Sequence, residues 1–250
     1  MSDSIIIEPR SSILIITLNR PEVMNAINSE LAEALNRAIR ILDAREDLRV
    51  GVIVGSGRGF SSGMDLSAFA TEGAPKTFRE FLVNGSAKPL VAAVEGFALA
   101  GGLEIALTCD LIVASRGARL GVPEVKVGLF AAGGALIRLP QRVLRAKAVE
   151  MVLTGAPITA EEGFEMGLIS RLTEKGSALG TAIDLAHEIS RNAPLAVRAS
   201  LAMVRANVGR TEEELWKVQA PLGRGVFASA DAKEGARAFV EKREPEWTGN

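Results

Sequence analysis

The sequence predicts an α/β core closed by a C-terminal helical segment. Three observations carry that reading. β-Branched runs alternate with helical patterns through the first half of the chain, as they do where strands and helices pack in layers. From Arg138 onward the apolar residues keep a helical period. At 250 residues, 48% hydrophobic and 24% charged, the chain suits one substantial core, or one domain with a helical appendage.

Taken in order, Ile5-Ile6-Ile7 and Ile13 to Leu18 read as strands, with Glu8-Pro9-Arg10-Ser11-Ser12 as the turn of a hairpin. Asn28-Ser29 caps a helix that runs to about Ala44, with Leu31, Leu35, Ile39 and Leu42 on one face. Val50 to Val54 is a short buried strand, and a glycine-rich loop, Gly55 to Gly63, follows it. Glu72 to Ala87 reads as a loop with a short helix. Leu90 to Val94 is another strand, leading into a turn before Gly101. After Leu111 to Ala114 comes a second glycine-containing stretch, Gly128 to Gly134. Ala182 to Ser190, Leu195 to Val208, Glu212 to Val226 and Ala232 to Lys242 are helices, broken at Asn192-Ala193-Pro194 and Gly209-Arg210.

Composition removes several functions. A net charge of −1 offers no bulk attraction to nucleic acid or anionic membrane, and 4% aromatics without Tyr gives no base-stacking platform. The N-terminus lacks the pattern of a signal peptide, and no apolar run reaches membrane-span length, so a cytoplasmic location is expected. One His and one Cys rule out the usual nitrogen and sulfur metal clusters. Cys109 excludes an internal disulfide and reads as a small buried hydrophobe.

The chemistry points to two glycines and two carboxylates. Gly101-Gly102 enters a helix and leaves bare N–H groups at the positive end of its dipole, where an anion, or an oxygen that becomes one, is stabilised. Glu104 follows in the first turn, among Leu103, Ile105, Ala106 and Leu107, which suggest a helix buried all round. An acid there can simply stabilise the dipole or cap the helix; buried, it is costly unless used or paired. Glu124, after Pro123, can open a turn or serve as a second acid–base group. Gly55-Ser56-Gly57-Arg58-Gly59 follows a strand but fails the dinucleotide fingerprint, because Phe60 occupies the position that needs glycine. Gly59-Phe60-Ser61-Ser62-Gly63 matches G-x-S-x-G, so a serine hydrolase is the rival reading. It would require His187, which lies in a late amphipathic helix flanked by acids.

Read together, these residues resemble the enoyl-CoA hydratase/isomerase (crotonase) superfamily from end to end. The resemblance rests on Leu18-Asn19-Arg20-Pro21 with Asn25-Ala26, Gly59 to Leu66, and Lys88 to Gly96. It continues through Ala100-Gly101-Gly102-Leu103-Glu104, Cys109-Asp110, Gly121-Val122-Pro123-Glu124 with Gly128, Gly133-Gly134, and Ala238 to Arg243.

The resemblance implies a crotonase-like spiral core of repeated ββα units over residues 1–192, and a helical trimerisation segment over 193–250. It places an oxyanion hole on the backbone N–H groups of Met64 and Gly101, and the hydratase glutamates on Glu104 and Glu124. It moves Ser61 and Ser62 into the loop leading to that hole, with Ser62, Asp65 and Leu66 beside the substrate. Phe227 and Lys242 are expected near the nucleotide end of coenzyme A. The implied reaction is hydration of a trans-2-enoyl-CoA, or its reverse, with double-bond isomerisation as the alternative. No metal or cofactor is expected beyond the coenzyme A of the substrate. The implied assembly is a homotrimer or a dimer of trimers. A catalytically idle acyl-CoA-binding protein is the remaining alternative. Met64 where alanine is common, and Ser67 where lysine is frequent, are departures from the family pattern.

Overall fold

The β-branched start of the chain folds as a hairpin. β1 (Ile5–Arg10) pairs antiparallel with β2 (Ile13–Leu18), Ile5 opposite Leu18 and Arg10 opposite Ile13. The structure is a computed structural model that describes residues 4–250. The turn is shorter than expected: only Ser11 and Ser12 lie between the strands, Ser11 left-handed at φ 51°. Pro9 stays in the ladder, opposite Leu14, because β1 lies at the sheet edge, where a residue without an N–H is tolerated.

Asn28 caps α1 (Ser29–Ala44), its side chain accepting from the Leu31 N–H at 2.9 Å. Leu31, Leu35, Ile39 and Leu42 form the buried face, as their spacing requires. β3 (Val50–Gly55) runs parallel to β2. Two short helices follow, α2 (Leu66–Glu72) and α3 (Phe78–Asn84); the first was not expected. Asp65 starts α2 by accepting from the Ala68 N–H at 3.2 Å.

Next come β4 (Leu90–Val94), β5 (Phe97–Leu99), α4 (Gly101–Thr108), β6 (Leu111–Ser115) and β7 (Arg119–Gly121). A 3₁₀ turn, Pro123–Val127, precedes α5 (Ala135–Arg142), α6 (Arg145–Thr154), β8 (Ile158–Thr159), α7 (Ala160–Glu165), β9 (Arg171–Thr173) and α8 (Ala178–Ser190). The helical trend after Arg138 is thus interrupted by two strands too short to show a period of their own.

Among the described residues the strands form a six-stranded sheet, β1-β2-β3-β4-β6-β9, and a three-stranded sheet, β5-β7-β8. From β2 to β9 the larger sheet is parallel. β3 and β4 are buried nearly throughout, consistent with a parallel sheet covered on both faces. The main core joins Leu14, Ile16, Leu31, Leu35, Phe60, Phe81 and Leu103.

Residue contacts divide the chain into two compact units, Met1–Ala186 and His187–Asn250, against an expected boundary after residue 192. The second unit contains α9 (Pro194–Ala206), α10 (Glu212–Ala228) and α11 (Ala230–Glu241). Thr211 and Glu214 form a capping box at the start of α10. In α11, Glu234 accepts from Arg237, Arg243 and the Glu246 N–H, and these bonds hold its carboxyl far below the usual carboxylate range. Asp231 ties down the tail by accepting from the N–H groups of Thr248 and Gly249 at 2.8 and 3.0 Å. Neither α9 nor α10 has a buried residue. Val204, Trp216, Phe227, Phe239 and Val240 are all exposed. Among the described residues no helix is long and apolar enough to cross a membrane.

Candidate active site

Two backbone segments are fastened side by side near the start of α4. Ser61 bridges Ala98, with the Leu99 N–H donating to the Ser61 carbonyl at 3.0 Å. On the other side Met64 bridges Ile27, which donates to the Gly63 carbonyl at 2.8 Å and accepts from the Asp65 N–H at 3.0 Å. These bonds use the groups flanking Met64 and leave its own N–H unengaged among the described residues. Gly63 sits at φ 99°, and a Cβ there would lie 2.6 Å from Ala100 Cβ and 3.0 Å from the Gly101 nitrogen. Only glycine permits this approach.

Gly101 begins α4, where the geometry of a helix provides no acceptor for its N–H. Neither the Met64 nor the Gly101 N–H has an acceptor among the described residues. Ala100 is held at φ 50° and ψ −126°, an unfavourable region for a residue with a Cβ. Its N–H is anchored to the Gly121 carbonyl at 2.9 Å.

That anchor belongs to the small sheet, and it explains how the two glutamates meet. β5 pairs in parallel with β7, placing Leu99 opposite Gly121. The chain beyond each strand therefore emerges on the same side: Gly101 to Glu104 from one, Val122 to Glu124 from the other. Glu104 is only 4% exposed. Burial pushes its carboxyl up, while the Ala135 N–H (3.2 Å from Oε1), the Gly133 N–H and the Arg138 charge favour the ionised form. Burial raises the Glu124 carboxyl too; its own N–H opposes this, and the Glu104 charge adds to the rise. The Oε2 of Glu124 is buried without a hydrogen-bonding partner among the described residues. The Glu104 charge thus bears on the Glu124 carboxyl, and the Arg138 charge on Glu104.

Sequence reading did not assign a role to the wall around Glu104. A Cβ on Gly133 would lie 2.2 Å from Glu104 Oε2 and 2.6 Å from Leu82 Cδ1, so the glycine makes room for the carboxylate. Arg138 is half-buried, donating to the Gly133 carbonyl at 3.3 Å and to the Leu82 carbonyl. Arg142, one turn on, donates to the carbonyls of Leu107 and Cys109 at 3.0 and 2.7 Å, fastening the far end of α4. The Gly133-Gly134 pair was the only available signal for this wall.

The remaining candidates divide clearly. Ser61 is fully buried, its hydroxyl donating to the Asn25 carbonyl at 2.8 Å and accepting from the Gly63 N–H at 3.2 Å. That engagement is structural. Ser62 is half-buried on the same loop, its N–H donating to the Met24 carbonyl at 3.0 Å. The Asp65 carboxylate is committed to its helix cap and to Arg20 at 3.1 Å, and these bonds hold it below the usual range. Leu66, in the first turn of α2, is exposed. Phe227 and Lys242 are exposed in the second unit, Lys242 in left-handed conformation at the end of α11. Cys109 is buried, its thiol directed at the Ile105 carbonyl.

Asn25, buried and at φ 53°, braces the approach to Met64. Its amide donates to the carbonyls of Ser56, Gly59 and Phe60 at 2.9, 3.0 and 3.1 Å, and its side-chain oxygen accepts from the Arg20 N–H at 2.9 Å.

The family model described as enoyl-CoA hydratase/isomerase matches residues 8–250. The chain is 40% identical to enoyl-CoA hydratase EchA19 of Mycobacterium tuberculosis, over 96% of this chain and 94% of that protein. It is 37% identical to the carnitinyl-CoA dehydratase of Salmonella paratyphi A over 100% of both chains. The crystal structure of an enoyl-CoA hydratase from Mycobacterium tuberculosis H37Rv matches with a TM-score of 0.94 at 45% identity, covering 100% of both chains.

Proposed function

Because the chain belongs to the enoyl-CoA hydratase/isomerase family, we propose that it adds water to a trans-2-enoyl-CoA to give a 3-hydroxyacyl-CoA, or runs that reaction in reverse. The observation that carries the reading is two carboxyls, Glu104 and Glu124, which the β5–β7 pairing brings to one side, beside the Met64 and Gly101 N–H groups, which have no acceptor among the described residues. The Met64 and Gly101 amides receive the thioester oxygen as it gains enolate charge, which draws electron density away from C3. Glu104, whose ionised form is favoured by two backbone N–H groups and Arg138, takes a proton from water as the oxygen bonds to C3. Glu124, whose proton is retained more firmly once Glu104 is charged, delivers it to C2. Water is thereby divided between the two carbons. The thioester is the electron sink, so neither a metal nor a redox cofactor enters the step.

A panel of enoyl-CoA thioesters, followed by loss of conjugated absorbance and by product mass, tests the proposal. A gain of one water supports hydration, whereas a shifted double bond at unchanged mass supports isomerisation. Tight binding without turnover across the panel would leave only a binding role. Glu104→Gln should lower turnover by about 10²-fold or more while the fold survives. Near-full hydration by that variant would refute the assignment.

Self-association into a homotrimer, or a dimer of trimers, would cover Val204, Trp216, Phe227, Phe239 and Val240, and light scattering on the full chain tests it. Placement of Ser62, Asp65 and Leu66 beside the acyl thioester, and of Phe227 and Lys242 at the nucleotide end, is part of the same proposal. Asp65 contributes through its place at the head of α2, since its carboxylate, its N–H and its carbonyl are all engaged elsewhere.

A further inference from the structure

We propose that Arg138 is a positioning residue for Glu104: its guanidinium joins the Gly133 and Leu82 carbonyls, and thereby fixes the loop and helix start whose Ala135 N–H holds the Glu104 carboxylate. The inference rests on Glu104 being the base of the proposed hydration. Arg138 approaches from α5, one turn beyond the Ala135 N–H that bonds Glu104 Oε1. Nη1 donates to the Gly133 carbonyl at 3.3 Å and Nη2 to the Leu82 carbonyl on α3. A Cβ on Gly134 would lie 2.2 Å from Nη1, so that glycine, at φ 108°, makes room for the guanidinium beside the loop. One planar group therefore spans the loop that touches Glu104 and the helix behind it.

Lysine could supply the charge but not this fork. The other charged or titratable groups near the site are Glu124 on the 3₁₀ turn, and Cys109 and Arg142, which act on Arg138. Burial disfavours the Arg138 charge, and Glu104 offsets this. Arg138 in turn favours ionised Glu104.

The test separates charge from scaffold on the full-length protein. Arg138→Gln keeps an amide donor and removes the charge. Arg138→Lys keeps the charge and removes the fork. For Arg138→Gln, kcat should fall about 10- to 100-fold with KM within threefold, and the acid limb of the kcat/KM profile should move to higher pH. The limb moves upward because losing the cation makes Glu104 easier to protonate. For Arg138→Lys the charge stays but the loop is released, so kcat should still fall while the limb rises less than in Arg138→Gln.

Isotope-edited infrared titration of the Glu104 carboxylate, assigned by its loss in Glu104→Gln, reads the same shift without turnover. It also remains available if one variant fails to fold. A carboxylate titration unmoved in Arg138→Gln, or an Arg138→Lys variant with the parent's kcat, would overturn the proposal. Full hydration by Glu104→Gln would instead overturn the underlying assignment of the base, so the two failures are distinct.

Discussion

Replacing Gly133 by alanine adds one methyl group at the point of closest approach to Glu104. The new Cβ would stand 2.2 Å from Oε2, and ordinary contact begins at 3.4 Å, so the carboxylate must retreat by about 1.2 Å. The group that moves is the end of a side chain, and Leu82 Cδ1 at 2.6 Å is another, so the fold can absorb the change. We expect a loss of about 1 kcal/mol in stability, or about 2–4 °C in Tm. Catalysis should suffer far more. Retreat stretches the 3.2 Å bond from the Ala135 N–H and displaces the base from its water. A misplacement of about 1 Å costs on the order of 10²-fold in rate, equivalent to about 2.7 kcal/mol of barrier. Steady-state hydration kinetics and a thermal melt on the same preparation decide it. Activity within threefold of the parent, or a rate loss matched by loss of folded protein, would refute the reasoning.

Three further outcomes follow from the same geometry. Burial raises the Glu104 carboxyl, so its charge opposes folding at neutral and alkaline pH. The parent gains on Glu104→Gln as pH falls through the raised value, until the difference levels off below the ordinary 4.5. Melts from pH 8 to 4 should show the Gln variant at least as stable at the alkaline end, with its relative advantage shrinking toward acid; the opposite slope would contradict the burial argument. Ala100→Gly should relieve the positive φ and, net of the entropy of the added glycine, gain about 1 kcal/mol. A lower Tm would show that Ala100 is not strained. Ser61 should remain unlabelled by a fluorophosphonate probe, because its hydroxyl is buried and already engaged; a mass adduct at Ser61 would revive the hydrolase reading.

What was legible in the chain was what repeats or caps. The spacing of Leu31, Leu35, Ile39 and Leu42 gave the buried face of α1, and Asn28 gave its start. The glycine pair and the apolar residues around Glu104 gave a buried helix carrying one acid. β5, β7 and β8 were not legible, because two or three residues cannot display alternation and their pairing lies between segments far apart in the chain. α2 escaped for a related reason: Leu66 to Glu72 has no buried residue and hence no apolar face. Arg138 looked like any arginine on an amphipathic helix. Its neighbourhood is made by α3 and the Gly133 loop, which no local window contains.

Asn25 has a consequence for how this chain can vary in length. One side chain measures the loop from Ser56 to Phe60 at three carbonyls, and its own carbonyl holds Ser61, two residues before the fastened Gly63. An insertion anywhere in that loop would throw the remaining carbonyls out of reach and carry the Met64 amide with them. Beyond Asp65 the hold is lighter: Gly73 ends α2 with open space beside it, and the Asn36 amide reaches a single carbonyl, that of Thr77, at 2.6 Å. Lengthening or shortening the chain between Gly73 and Phe78 should therefore reshape the surroundings of the site while leaving its two amides where they are.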